Sequence, residues 1–181
     1  MKLAKNLDRL GTETAFSVLA EAKKLEAQGK EMIHLGLGQP DFMTPKHIMD
    51  AAKKAIDDGH HGYVLANGIV ECRQAVSRKI KSLYKKEVSP DRIMIMPGGK
   101  PTMYFAIQMI GEPGAEIVHP TPGFPIYESM INYTGAKAVP YDLTKEKDLK
   151  FDPEKILSLI TDKTRLVILI NPNNPTGSFV E

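Results

Sequence analysis

Apolar positions follow a helical rhythm in the first half of the chain and a strand-and-helix alternation in the second. From Thr12 to Gln28 the apolar residues Phe16, Leu19, Ala20 and Leu25 fall near one face, which predicts a helix ended by Gly29. Met32–Leu35 reads as a short strand, and Gly36–Phe42 is too rich in glycine and proline for regular structure. Thr44 is placed to cap a helix whose first position is Pro45 and which runs to about Asp58, before Gly59. Ile69–Lys86 is a long amphipathic pattern carrying Val70, Arg73, Val76, Ile80 and Leu83. Beyond Ser89-Pro90 the runs shorten. Candidate strands Arg92–Met96, Glu116–His119, Ala136–Val139 and Leu166–Ile170 alternate with candidate helices Lys100–Ile110, Pro125–Tyr133 and Pro153–Ile160, the last capped by Asp152. That alternation predicts an α/β fold with three αβα layers, a mostly parallel sheet and right-handed crossovers. The unbroken run Leu166–Ile170 reads as a strand buried on both faces. No internal repeat or low-complexity linker interrupts the pattern.

Composition narrows the class. With 181 residues, 42% hydrophobic and 25% charged, the chain has the profile of a soluble globular domain, which excludes disordered and collagen-like classes. A net charge of +2 without a long block of like charge gives no reason to expect nucleic acid as a partner. Lys85-Lys86 reads as the wet end of a helix. The single Cys72 rules out an intramolecular disulfide framework, and inside a helical pattern it reads as core rather than nucleophile. Met1–Asn6 lacks the apolar stretch of a signal peptide and no run reaches membrane-spanning length, so the expectation is a cytoplasmic protein with no membrane partner. His60-His61 raises the question of a metal. No Cys or carboxylate stands beside the pair at ligand spacing, so these histidines read as exposed loop residues and no metal is expected.

The candidate chemistry lies at strand ends. Gly98-Gly99-Lys100 stands where a strand hands over to a helix, a place where free amides and the helix dipole attract an anion. It is not a nucleotide P-loop, because Met94 and Pro101 occupy positions that need Gly and Ser or Thr, and no third glycine completes a dinucleotide fingerprint. Thr121-Pro122-Gly123-Phe124-Pro125 follows the next strand; its Phe124 ring either packs under the loop or stacks on a flat ligand. Asn171-Pro172-Asn173-Asn174-Pro175-Thr176-Gly177 follows the last, with more amide side chains and φ-locked residues than a plain turn requires. Each stretch alone has an ordinary reading as connection geometry. Together, an anion cradle, an aromatic plate and an amide-rich loop facing one crevice describe a site for a phosphorylated aromatic ring.

At these residues the chain resembles the class I/II pyridoxal-phosphate aminotransferases of fold type I, nearest to the bacterial aspartate aminotransferase-like group. The resemblance spans essentially the whole chain, carried by Gly38–Phe42 with Thr44-Pro45, Tyr63 followed by Gly68-Ile69, Gly98-Gly99-Lys100, Pro120–Tyr127 and Asn171–Gly177. It implies that Gly99 and Lys100 hold the phosphate of pyridoxal 5′-phosphate through their amides and that Phe124 stacks on its ring. Asn174 is implied to bond the phenolic oxygen and to lie near the substrate carboxylate, and the Gly38 backbone to line the substrate pocket. Tyr63 is implied to reach the cofactor of a partner subunit, which makes a homodimer. Gln39 stands where relatives often carry Glu. The implied division is residues 1–44 on the small-domain side, with the substrate-pocket loop, and 45–181 as the N-terminal part of the cofactor-binding large domain.

The implied activity is transfer of an amino group from an amino acid, aspartate or similar, to a 2-oxo acid. Family members are longer than this chain. The Schiff-base lysine, the aspartate that pairs with the ring nitrogen and the arginine that grips the substrate carboxylate are expected in a C-terminal half that this sequence does not contain, since none of its lysines has a matching context. The chain alone is therefore expected to be a fragment without catalytic residues of its own, incapable of transamination and with unpaired strand edges. Two other readings stay open: a C–S lyase on the same cofactor site, and a non-catalytic truncated module that binds or dimerises.

Overall fold

In the computed structural model, which describes residues 2–11, 14–143 and 148–180, the neighbouring residues Ile117 and Val118 are both fully buried. Successive strand residues point to opposite faces, so the sheet that contains them is covered on both sides. Among the described residues the elements are α1 (Thr14–Ala27), α2 (Lys46–Asp57), α3 (Val70–Tyr84), α4 (Gly99–Ile110), β1 (Glu116–Thr121), α5 (Ile126–Thr134), β2 (Lys137–Asp142), α6 (Pro153–Ser158) and β3 (Thr164–Val167), with short 3₁₀ turns at Lys5–Arg9 and Pro90–Arg92. The chain divides into two compact units, Met1–Gly36 with Gly99–Glu181, and Leu37–Gly98.

The first unit holds the sheet, in the order β2-β1-β3 and parallel throughout. Ile107 of α4 and Met130 and Ile131 of α5 pack with Ile117 on one face, while Ile156 of α6 packs with Val118, Tyr141 and Leu143 on the other. This is the three-layer arrangement expected. Each fully buried branched side chain contributes roughly 2 kcal/mol of burial free energy. The pairing of β1 with β3 slips between Glu116↔Thr164 and Ile117↔Leu166, leaving Arg165 as the extra residue of a bulge. The N-terminal segment is strapped to α5. Arg9 donates to the carbonyls of Asn132 and Tyr133, both at 2.8 Å, satisfying helix-end acceptors, and the Gly11 amide donates to Ser129 Oγ at 2.9 Å.

The second unit carries α2 and α3. Here the amphipathic stripe of α3 is reordered: Arg73 is 3% exposed, whereas the apolar Val70 and Leu83 are 42% and 55% exposed. Arg73 is buried because its donors are used. It bonds the carbonyls of Gly68 at 3.1 Å and Pro90 at 2.9 Å and pairs with Asp91 at 3.3 Å.

Several local expectations change. Met32–Leu35 and Arg92–Met96 form no ladder with any described strand, so neither is a strand here; the Ile95 amide donates to the Asn67 carbonyl. The last strand starts two residues before the apolar run and ends inside it, as an edge of this sheet rather than an interior strand, and Leu169, beyond its end, is 56% exposed. Pro45 occupies the N-cap of α2 without a side-chain cap from Thr44. The expected start of the first helix at Thr12 lies outside the described residues, while Asp152 caps α6 as expected, accepting from the Glu154 amide.

Candidate active site

The strands are parallel, so the segments that follow β1 and β3 leave from the same, carboxyl end of the sheet. Helix α4 begins at Gly99, directly after Gly98, whose φ of +95° suits glycine. The first-turn amides of such a helix have no intrahelical acceptor and carry the positive end of its dipole. Lys100, in that first turn, places its ammonium 5.6 Å from the centroid of the Phe124 ring and 5.2 Å from that of Phe16 on α1. The contact joins the helix start to the turn after β1. Phe124 is half-buried and meets Tyr127 edge-to-face at 6.3 Å. Burial raises the pKa of the Tyr127 hydroxyl and keeps it protonated. The peptide bond before Pro122 is cis, as are those before Pro172 and Pro175.

The loop after β3 is closed by its own amides. Asn171 Nδ2 donates to the Val180 carbonyl at 2.8 Å and its Oδ1 accepts from the Val180 amide at 2.9 Å. Inside this clasp the Asn173 amide donates to the Ser178 carbonyl, and Asn173 Nδ2 donates to Thr176 Oγ1 at 2.9 Å. Asn173 is 8% exposed, and its Oδ1 has no partner among the described residues. Asn174, the residue singled out in the sequence, is exposed on the same loop. Ser178 Oγ ties the loop to the Leu149 carbonyl at 2.7 Å.

Of the sequence-derived residues, the fold brings Lys100 and Phe124 together, with Gly99 adjacent in α4. Asn174 stands in the neighbouring strand-end loop. Gly38 and Tyr63 belong to the second unit; Tyr63 is fully exposed, and no atom lies within 4 Å of where a Gly38 Cβ would be. Sequence reasoning missed Phe16, Tyr141 and the buried role of Asn173, because all three are ordinary residues until the contact is seen. His119 on β1 is 5% exposed, and burial lowers its pKa against the opposing pull of Glu128. Glu116 has its pKa lowered by hydrogen bonds from Lys137 and Thr161. Among the described residues no three His, Cys, Asp or Glu side chains could hold a metal ion, and no helix is long and apolar enough to cross a membrane.

The donor set suits a phosphorylated ring: the amide-bearing start of a helix for the phosphate, an aromatic face for the ring and an exposed amide side chain for a ring oxygen. The fold is that of the fold type I pyridoxal-phosphate transferases. An aspartate aminotransferase from Thermus thermophilus, solved with maleate, superposes with a TM-score of 0.92 at 30% identity, over 99% of this chain and 47% of its own. The family model for class I and II aminotransferases matches residues 30–181, and the chain belongs to that family. An aspartate aminotransferase of Bacillus subtilis is 36% identical over 98% of the chain. A (5-formylfuran-3-yl)methyl phosphate transaminase of Methanocaldococcus jannaschii is 35% identical over 99%. The chain spans about half the length of these relatives, 45% and 46% respectively.

Proposed function

We propose that this chain serves a pyridoxal-phosphate-dependent aminotransferase that moves an amino group between an amino acid, aspartate or a close analogue, and a 2-oxo acid. The observation that supports it best is the meeting of Lys100 with Phe124, which sets the amide-bearing start of α4 beside an aromatic plate. The Gly99 and Lys100 amides bind the phosphate, and fixing that end orients the ring over Phe124. Asn174 donates its side-chain N–H to the phenolic oxygen, which favours the ionised oxygen because the bond is stronger to charge. The Gly38 backbone lines the substrate pocket, and Tyr63 reaches the phosphate held by a partner subunit, in a homodimer. In this reading residues 1–44 lie on the small-domain side and 45–181 in the large domain. When bound, pyridoxal phosphate supplies the electron sink for bond breaking at the amino acid's α-carbon. No residue of this chain is given the covalent role.

Incubating the whole protein with aspartate, 2-oxoglutarate and pyridoxal phosphate is expected to yield glutamate and oxaloacetate, in amounts that fall in a Gly99→Asp variant that sets a negative charge in the cradle. Pyruvate, ammonia and sulfide from cysteine, and no amino transfer, would point instead to a C–S lyase. Failure to bind pyridoxal phosphate at all would overturn both.

A further inference from the structure

We infer that Tyr141 is a positioning residue for Asn174, acting through the carbonyl of Ile168. The inference rests on the role proposed for Asn174. Tyr141 belongs to the edge strand β2, is 2% exposed, and donates its hydroxyl to the Ile168 carbonyl at 3.0 Å. The central strand β1 lies between β2 and β3, so this bond spans the sheet from one edge strand to the segment leaving the other. Ile168 is the first residue after β3, and its amide donates to the Val118 carbonyl at 2.9 Å. Both backbone polar groups of Ile168 are thus held, one by β1 and one by β2. From there only Leu169 and Ile170 separate the anchored peptide from the Asn171 clasp that presents Asn174.

Burial, with a smaller effect from Tyr127, pushes the pKa of the Tyr141 hydroxyl up to about 12, so the donor stays protonated at any physiological pH. Tyr141 does not act on a ligand itself. The space beside it, lined also by Leu149, Asn171, Asn173 and Ser178, has a volume of about 10 Å³, which admits nothing larger than water. The hydroxyl donates to a backbone carbonyl at the root of the candidate-site loop. Losing the bond leaves that carbonyl without its donor while the tyrosine ring can still be replaced by phenylalanine without a change of shape.

The test is a double-variant cycle on the whole protein, read by amide hydrogen exchange and by the dissociation constant for pyridoxal phosphate. Y141F is expected to speed exchange across residues 171–180 by about tenfold while residues 116–121 keep their protection. It is expected to weaken pyridoxal phosphate binding, as N174A does, and Y141F with N174A together should bind no worse than N174A alone. A merely structural tyrosine would give additive losses, and that result overturns the inference. Unchanged exchange in the loop, or equal loosening of 116–121, also overturns it. If N174A binds pyridoxal phosphate as well as the unmutated protein, the assignment of Asn174 fails and Tyr141 loses its role with it. If N174A weakens binding and Y141F does not, only the inference on Tyr141 fails.

Discussion

The ammonium of Lys100 stands 5.6 Å from the centroid of the Phe124 ring, so a cation–π contact joins the first turn of α4 to the turn after β1. Two segments far apart in sequence are thereby fixed at one end of the sheet. Phe124→Ala removes the plate and the cation's support together. We expect it to weaken pyridoxal phosphate binding by about three- to tenfold, the scale of one aromatic contact, while Phe124→Tyr stays close to the unmutated protein. A cofactor titration followed by absorbance decides between them.

Gly123 shapes the same turn. A Cβ at this position would fall against the carbonyl oxygen of Pro120, a backbone atom that cannot move aside as a flexible side chain can. Gly123→Ala is expected to displace the turn, costing about 1–3 kcal/mol of stability in urea unfolding, the usual scale of overpacking. Cofactor affinity should fall with it, because Phe124 is the next residue.

His119 gives the protein a pH dependence on the acid side. Its folded pKa lies below the ordinary value, so the unfolded chain takes up a proton first as pH falls. Stability is fully present above about pH 6.5, the unfolded histidine value, and declines as pH drops from there towards the lowered folded value. His119→Gln is expected to flatten the urea midpoint across that window. Glu116, also lowered but starting from the carboxylate range, adds its own loss only at more acidic pH.

Arg73 holds the second unit. Arg73→Met keeps the apolar stem but removes every donor to the Gly68 and Pro90 carbonyls and to Asp91. The expected cost is about 2–4 kcal/mol, as for breaking a buried hydrogen-bonded charge. Faster amide exchange confined to residues 37–98 is the signature, with the sheet of the first unit unaffected. Arg73→Lys should not restore protection, since one ammonium cannot reproduce the fork.

The sequence carried the layers and the strand-end loops because each rests on a local rule: Asp152 before Pro153 caps a helix, and Ile117-Val118 in a short apolar run makes a doubly buried strand. Ladders were less legible. Met32–Leu35 and Arg92–Met96 have strand-like composition, but a strand also needs a neighbour, which no single segment encodes. Leu166–Ile170 reads as interior because apolar runs usually are, whereas β3 is an edge strand that ends at Val167 and leaves Leu169 exposed. Arg73 shows the opposite limit. Its place in an amphipathic stripe was visible, but its burial depends on carbonyls presented by Gly68 and Pro90, which lie outside the helix. At the candidate site the backbone features were readable, while Phe16 and Tyr141 become meaningful only through residues distant in sequence.

The Asn171 clasp carries a consequence for the order of assembly. Its two hydrogen bonds close a ring between Asn171 and Val180, residues near enough in sequence that joining them loses little chain entropy. As the protein emerges from the ribosome, this ring can close once Val180 is clear, against a sheet already synthesised. The shape of the loop around Asn174 then comes from a short-range closure and needs no search across the chain.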